Sequence, residues 1–327
     1  MYFRIICGLM IGFVSLLAGC RNKDKHGKDL DSPTLGEITI AVDESLYPAI
    51  DAQIPTFQAL YPGTKIKANY VPENYAIEQL MNDSVRLAVI TRMLTEEELK
   101  YFEQEKLKIT NLPIAADAIA LIVNRNNPDT LLTYEQLIGI MKGQIQDWTQ
   151  LNASSRLSGI HVVFDNSNSS TIRMMKDSLA KNAQLPSYCF AVDSNPKVIN
   201  YVSSHENAIG LIGVSWISDQ DDSLTRSFLS KIKVVSLSNG KSRNSERVEF
   251  YHPFQAEIKL LQYPLHRVVY IVSRENRSGL GSGFAAFVAS ERGQRIIHKS
   301  GLLPVTMPTR IIQLGDDSRM KREMQEE

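Results

Sequence analysis

Short β-branched runs alternate with helical stretches along most of this chain, and no feature restricts its fold more. Residues 38–42 form a β-rich run. Pro48 then suits the first turn of a helix on which Ile50, Ile54, Phe57 and Leu60 recur at helical spacing. Pro62-Gly63 ends that helix, 65–71 reads as the next strand and 74–81 as the next helix. Leu87–Ile90 has the unbroken apolar character of a buried strand, and Thr95 and Glu98 are spaced as a capping box at a helix start. A second set follows, with strands at 118–123, His161–Phe164, 208–212 and 233–235 and helices at Tyr134–Met141, 171–183 and 198–204. Residues 268–272 read as a late strand and 283–300 as one helix with Phe284, Phe287, Val288 and Ile297 on a single face. Strands that run parallel need crossovers, and helices supply them here. The predicted class is α/β, with mostly parallel sheets flanked by helices.

The 327 residues suffice for two domains. Lys and Arg total 36 and Asp and Glu total 36, so the basic excess of a nucleic-acid binder is missing. A charged fraction of 22% with 43% hydrophobic residues also excludes bulk disorder. After Cys20 no apolar run approaches the roughly 20 residues of a membrane-crossing helix. The histidines are scattered, with none paired at metal-ligand spacing, and no CxxC, G-x-S-x-G or phosphate-loop motif is present. Gly279-Leu280-Gly281-Ser282-Gly283 lacks the lysine of a phosphate loop and reads as a flexible helix start. No nucleophile–base pair is legible, so the expectation is no enzyme, no metal and no cofactor.

The first residues, MYFRIICGLMIGFVSLLAGC, place Arg4 before an apolar stretch that contains no acid, which is the order of a secretory signal. Leu17-Ala18-Gly19-Cys20 resembles a bacterial lipobox, which implies cleavage and lipidation of Cys20. Residues 1–20 are therefore expected to be a lipoprotein signal, and the lipid to be a membrane anchor. Residues 21–36 are charged and polar, as in a solvated tether. With Cys7 removed and Cys20 lipidated, Cys189 is left alone, so no internal disulfide can form. Its apolar neighbours suggest buried filler.

Three segments set hydroxyl or amide side chains between a strand end and a helix start: Asp43-Glu44-Ser45-Leu46-Tyr47-Pro48, Thr91-Arg92-Met93-Leu94-Thr95, and 165–171, DNSNSST. Unpaired N–H groups at helix starts can cradle an oxyanion. For any one of them alone, plain N-capping is the favoured account. Three together make capping and binding even readings.

With these residues in view, the chain resembles the phosphate-type substrate-binding proteins of ABC transporters, which have the type II periplasmic binding-protein fold. The resemblance runs from Ile38 to Pro304. It rests on 113–124 (PIAADAIALIVN), Asn127-Pro128, 132–137 (LTYEQL), 143–148 (GQIQDW), 208–213 (AIGLIG), 263–267 (YPLHR) and 293–297 (GQRII). It implies a two-lobed α/β body: lobe 1 from 37–118 and 266–312, lobe 2 from 119–265, and a frayed tail at 313–327. It also implies ligand contacts at Ser45 and Leu46, at Thr91 and Arg92, and at the triplet Ser169-Ser170-Thr171. Asp165 stands where an arginine is usual, Ser170 where the triplet has glycine, Pro72-Glu73-Asn74-Tyr75-Ala76 replaces a Gly-Ser-rich loop, and Arg86 replaces an acid. Arg92 or Arg173 is expected to offset Asp165 or to meet the anion.

The resemblance thus implies a monomeric, lipid-anchored binding protein facing the periplasm or cell exterior. It would pass an inorganic oxyanion, phosphate foremost, to an ABC transporter permease, without nucleic acid. Two rivals stand beside it: a divergent relative binding another polar or cationic solute through Asp165 and Glu73, and a sensory or structural lipoprotein engaging a partner protein.

Overall fold

A computed structural model describes residues 31–180, 184–240 and 248–306. The signal, Cys20, most of the tether and the tail lie outside the described residues. β1 (Gly36–Asp43) runs parallel to β2 (Thr64–Val71) on one side and β3 (Leu87–Ile90) on the other. β4 (Thr110–Asn124) is 15 residues long and is followed by the short β5 (Leu131–Leu132). β6 (His161–Phe164) pairs in parallel with both β7 (Cys189–Ala191) and β8 (Ala208–Gly213). β9 (Ile232–Val234) joins β4, while β10 (Ser236–Ser238) and β11 (Phe250–Tyr251) form a separate small sheet with β5. β12 (His266–Ser273) lies antiparallel between β3 and β4, and β13 (Leu303–Pro304) closes on β4. Parallel pairing therefore holds in both outer parts of the main sheet, whose order is β2-β1-β3-β12-β4-β8-β6-β7. Its centre is antiparallel.

β4 changes partner along its length. Thr110 to Ala118 pair with β12, and Ile119 to Val123 pair with β8, so a single strand carries the chain from one half of the sheet to the other. Both halves are covered on two faces, which is why these strands read as near-continuous apolar runs. Ala41, Ala88, Ile90 and Val272 pack under Ile77, Leu80 and Phe102 in the first half. In the second, Ala120, Ile122, Val163 and Ile212 pack under Val198, Ile199 and Val202. A larger core on the opposite faces joins the two halves.

Local signals set most helix boundaries. Thr95 and Glu98 cap each other reciprocally, and Thr133 and Gln136 do the same before Tyr134–Met141. Three expected helices differ. The one read from Pro48 is two, Tyr47–Asp51 and Gln53–Leu60, broken at Ala52. The helix from residue 171 is Ser170–Met175 and then widens into a π-helical turn at Lys176–Ala180; residues 181–183 lie outside the description. The stretch from 283 holds two helices, Leu280–Ala289 and Glu291–Lys299, split at Ser290. The Ser290 hydroxyl takes the Gly293 N–H, capping the second helix and ending the first.

Residues 31–36, expected as part of the tether, are anchored at Asp31. Its carboxylate accepts both Arg86 terminal nitrogens, at 3.1 and 3.0 Å, the Leu280 N–H at 2.7 Å, and Arg277. Gly283 is there because Pro33 crosses it: a Cβ would fall 2.0 Å from the Pro33 carbonyl oxygen. The glycines expected to loosen this helix start instead admit the N-terminal strap.

Candidate functional site

Four strand ends and one strand centre meet where the two halves of the sheet face each other. β1 delivers Asp43 and a short 3-10 turn with Glu44 and Ser45; β3 delivers Thr91 and Arg92; β6 delivers Asp165 and the turn to Ser170; β12 delivers Arg267; the middle of β4 delivers Asp117. Arg267 and Asp117 are direct cross-strand partners. The Arg267 Nε–H donates to Asp117 Oδ2 at 2.8 Å, and Nη2 lies 2.8 Å from the same carboxylate. The other face of the guanidinium reaches across the seam. Nη2 donates to Ser45 Oγ and Nη1 to Ser170 Oγ, each at 2.7 Å, and the two hydroxyls are 3.3 Å apart. One buried cation thus holds a hydroxyl from each wall.

Three buried polar atoms at this seam have no hydrogen-bond partner: Asp43 Oδ2, Asp117 Oδ1 and Thr171 Oγ1. Buried polar groups are normally satisfied, so such a cluster marks a place where polar chemistry is left over. Asp43 Oδ1 is used, accepting the Ser45 N–H at 2.8 Å. Burial, and next the charge of Glu73, pushes the Asp43 carboxyl up to about 6, against the pull of Arg267. Burial and then Asp165 push Glu44 up to about 7, although its carboxylate accepts the Asn195 side-chain amide at 2.6 Å. Asp117 and Asp165 are also raised by burial, opposed respectively by Arg267 and by the Ser169 hydroxyl, which donates to Asp165 at 2.6 Å.

Thr91 lies on a second bridge along the same seam. Glu73, fully buried, accepts the Thr91 N–H and hydroxyl at 2.8 Å each and the Arg173 Nε–H at 2.6 Å. Arg173 Nη2 also donates to Thr91 Oγ1 at 3.1 Å. Further contacts complete the seam. Gly213 faces Ser45 so closely that a Cβ would sit 2.6 Å from the Ser45 carbonyl oxygen, and Tyr47 stacks on Trp216.

The expected site residues therefore divide. Ser45 and Ser170 converge on Arg267, Ser169 and Asp165 bond each other in the same turn, and Thr171 follows Ser170 with its buried hydroxyl unpartnered. Leu46 is a core side chain, which leaves only its backbone for a ligand. Arg92 turns away to form a two-armed pair with Glu98, 2.8 Å on each arm, and also bonds the Met93 carbonyl. Neither Arg92 nor Arg173 pairs with Asp165. Arg173, expected to offset Asp165 or to meet the anion, instead pairs with Glu73 and so belongs to the seam. The helix cradle is also smaller than expected: the turn after Asp43 has three residues and the helix after Ser169 has six.

Arg267, Asp117 and Asn195 were not read as site residues from the sequence, and Asp43 entered only as the first residue of a candidate segment. A signal existed for two of them. Asp117 is an acid inside PIAADAIALIV and Arg267 a base ahead of VVYIV, and a lone charge in a buried strand requires an opposite one. Cys189 is partly buried, with its thiol pushed up to about 12, as expected of an inert filler. Among the described residues no three His, Cys, Asp or Glu are placed to hold a metal, and no helix is long and apolar enough to cross a membrane.

Residues 28–292 match the model of the PBP superfamily domain. The phosphate-binding protein PstS of Borreliella burgdorferi is 23% identical over 310 residues, 92% of this chain and 99% of that protein. The PstS of Pseudomonas aeruginosa is 25% identical over 268 residues, covering 76% and 77%. Among solved structures, a candidate phosphate ABC transporter substrate-binding protein from Clostridium perfringens, crystallised with bound phosphate, superposes with a TM-score of 0.68 at 25% identity. That match covers 83% of this chain and all of the other.

Proposed function

Because the chain belongs to the PBP superfamily, we propose that it is an extracytoplasmic solute-binding protein, not an enzyme, that captures phosphate for an ABC importer. The lobes are 37–118 with 266–312, and 119–265; the partner switch of β4 between Ala118 and Ile119 supports that division. Lipid at Cys20 anchors a monomer at the cell envelope.

The observation that carries this reading is Arg267, a buried guanidinium whose two arms bond hydroxyls on opposite walls. Planar guanidinium donors suit an oxyanion, and charge-assisted bonds of this kind are the strong ones. Ser45, Ser170 and Thr171 provide the remaining contacts, with Leu46 acting through its backbone and Ser169 and Asp165 shaping the turn. Thr91 and Arg92 are engaged with Glu73 and Glu98 and take a supporting part. The unpartnered Asp43 and Asp117 oxygens favour an anion that still carries a proton, because such an anion can donate where sulfate cannot. Titration calorimetry of the full-length protein in detergent with phosphate, sulfate and molybdate tests the reading. Heat with phosphate and none with sulfate is expected, and silence with all three refutes it.

The acid surplus at the seam supports a second reading, a polar or cationic solute held by Asp43, Asp165 and Glu73. Native mass spectrometry of the purified protein separates the two, since a co-purifying cation would replace phosphate as the ligand.

A further inference from the structure

Glu73 opens the Glu73–Met81 helix after Pro72, and its carboxylate is fully buried. It takes the N–H and hydroxyl of Thr91 from one wall and the Nε–H of Arg173 from the other, with Arg92 Nε a further 3.7 Å away. An oxyanion lying in the seam would ask for this same set of donors. The Thr91 hydroxyl has no proton left to donate to an anion, since it donates to Glu73 while accepting from Arg173. The donors at this end of the seam already serve a carboxylate that belongs to the chain.

We propose that Glu73 is a specificity-determining residue, a built-in carboxylate that competes with the ligand for the Thr91 and Arg173 donors. It confines anion binding to the Arg267 end and lowers the negative charge that the cleft tolerates. The inference rests on the oxyanion reading above, and Arg173 sets its strength by screening the carboxylate.

The two partners have opposite effects. Glu73→Gln keeps the shape, removes the like charge and tightens phosphate binding by roughly tenfold, the scale of one partly screened charge a few ångströms from an anion. Arg173→Gln leaves Glu73 less screened and weakens phosphate binding by a similar factor. Glu73→Asp retains the charge and does not tighten binding. A purely structural clamp would instead make all three variants bind more weakly.

Calorimetric titration of the full-length wild type and the three variants with inorganic phosphate, alongside their melting temperatures, decides the matter. Opposite shifts for Glu73→Gln and Arg173→Gln support the proposal. Weaker or unchanged binding by Glu73→Gln, or tighter binding by Glu73→Asp, overturns it while leaving the oxyanion reading intact. If Glu73→Gln does not fold, unchanged or tighter binding by Arg173→Gln overturns it, because Arg173 is partly exposed and has Asp177 as a second partner. No phosphate binding by any of the proteins removes the oxyanion reading and this inference together.

Discussion

Replacing Arg267 with methionine is the most demanding test of the seam. The guanidinium is almost fully buried and makes bonds of 2.7–2.8 Å to Asp117, Ser45 and Ser170. Methionine fills much of the volume but leaves Asp117 as a buried carboxylate with neither oxygen paired to a cation. Removing one partner of a buried pair costs about 3–5 kcal/mol, because the remaining charge is stranded away from water. For a body of this size about 2 °C of melting temperature accompanies each kcal/mol, so a fall of roughly 6–10 °C is expected at pH 8. The loss shrinks in acid, because Asp117 is already raised by burial and takes up a proton more easily once Arg267 is gone. The double variant Asp117→Leu/Arg267→Met removes both charges and recovers most of the stability. It does not recover phosphate binding. Scanning calorimetry with and without phosphate reads both effects. A loss below about 1 kcal/mol in the single variant, the value of an exposed pair, would refute the buried-pair account. Retained phosphate binding in the double variant would refute Arg267 as the anion's cation.

Glu44 predicts a pH dependence of the opposite kind to an ordinary ion pair. Its folded value lies near 7 against 4.5 for the free side chain, so the folded state holds the extra proton. Its contribution is greatest below pH 4.5 and is lost as pH rises through 7; Glu44→Gln therefore raises the stability at pH 8 by on the order of 3 kcal/mol, read as a higher melting temperature, and barely changes it at pH 4.5. Asp31 behaves conversely. Burial would raise its carboxyl, but Arg86, the Leu280 N–H and Arg277 together hold it well below the usual range. Its contribution is present above pH 3.8 and fades only in strong acid. Asp31→Asn lowers the stability at pH 7 by about 2 kcal/mol, read as a shift in urea midpoint. Gly213→Ala places a methyl against the Ser45 backbone, so phosphate affinity falls severalfold while each sheet half keeps its core. Titration calorimetry and far-ultraviolet circular dichroism together check that separation.

Much of the secondary structure is legible because its causes are local. Leu87–Ile90, Tyr134–Met141 and His161–Phe164 have the bounds read from sequence, since an apolar run or a cap fixes them within a few residues. The reading falters where the chain must satisfy something distant. The helix from Ser170 widens after Met175, and Ser290 divides the late helix. The segment before Gly36 looked like tether because its anchors, Arg86 and Arg277, are far along the chain. In the proposed site, Ser45, Ser169, Ser170 and Thr171 could be nominated from sequence because strand-end hydroxyls are visible in one dimension. The partner of Arg92 was not legible, although Glu98, which pairs with its guanidinium, is only six residues away.

By itself the sequence determined the order of strands and helices, the two buried sheet halves and the hydroxyls at their ends, because hydrophobic period and capping act over neighbouring residues. Only the tertiary structure decided where the charges go. Arg267 and Asp117 are separated by 150 residues and meet because β12 returns beside β4, and Glu73 meets Arg173 only because the two walls face each other. Electrostatic partnership depends on distance in space and on burial, and neither quantity is written in the spacing of residues along a chain.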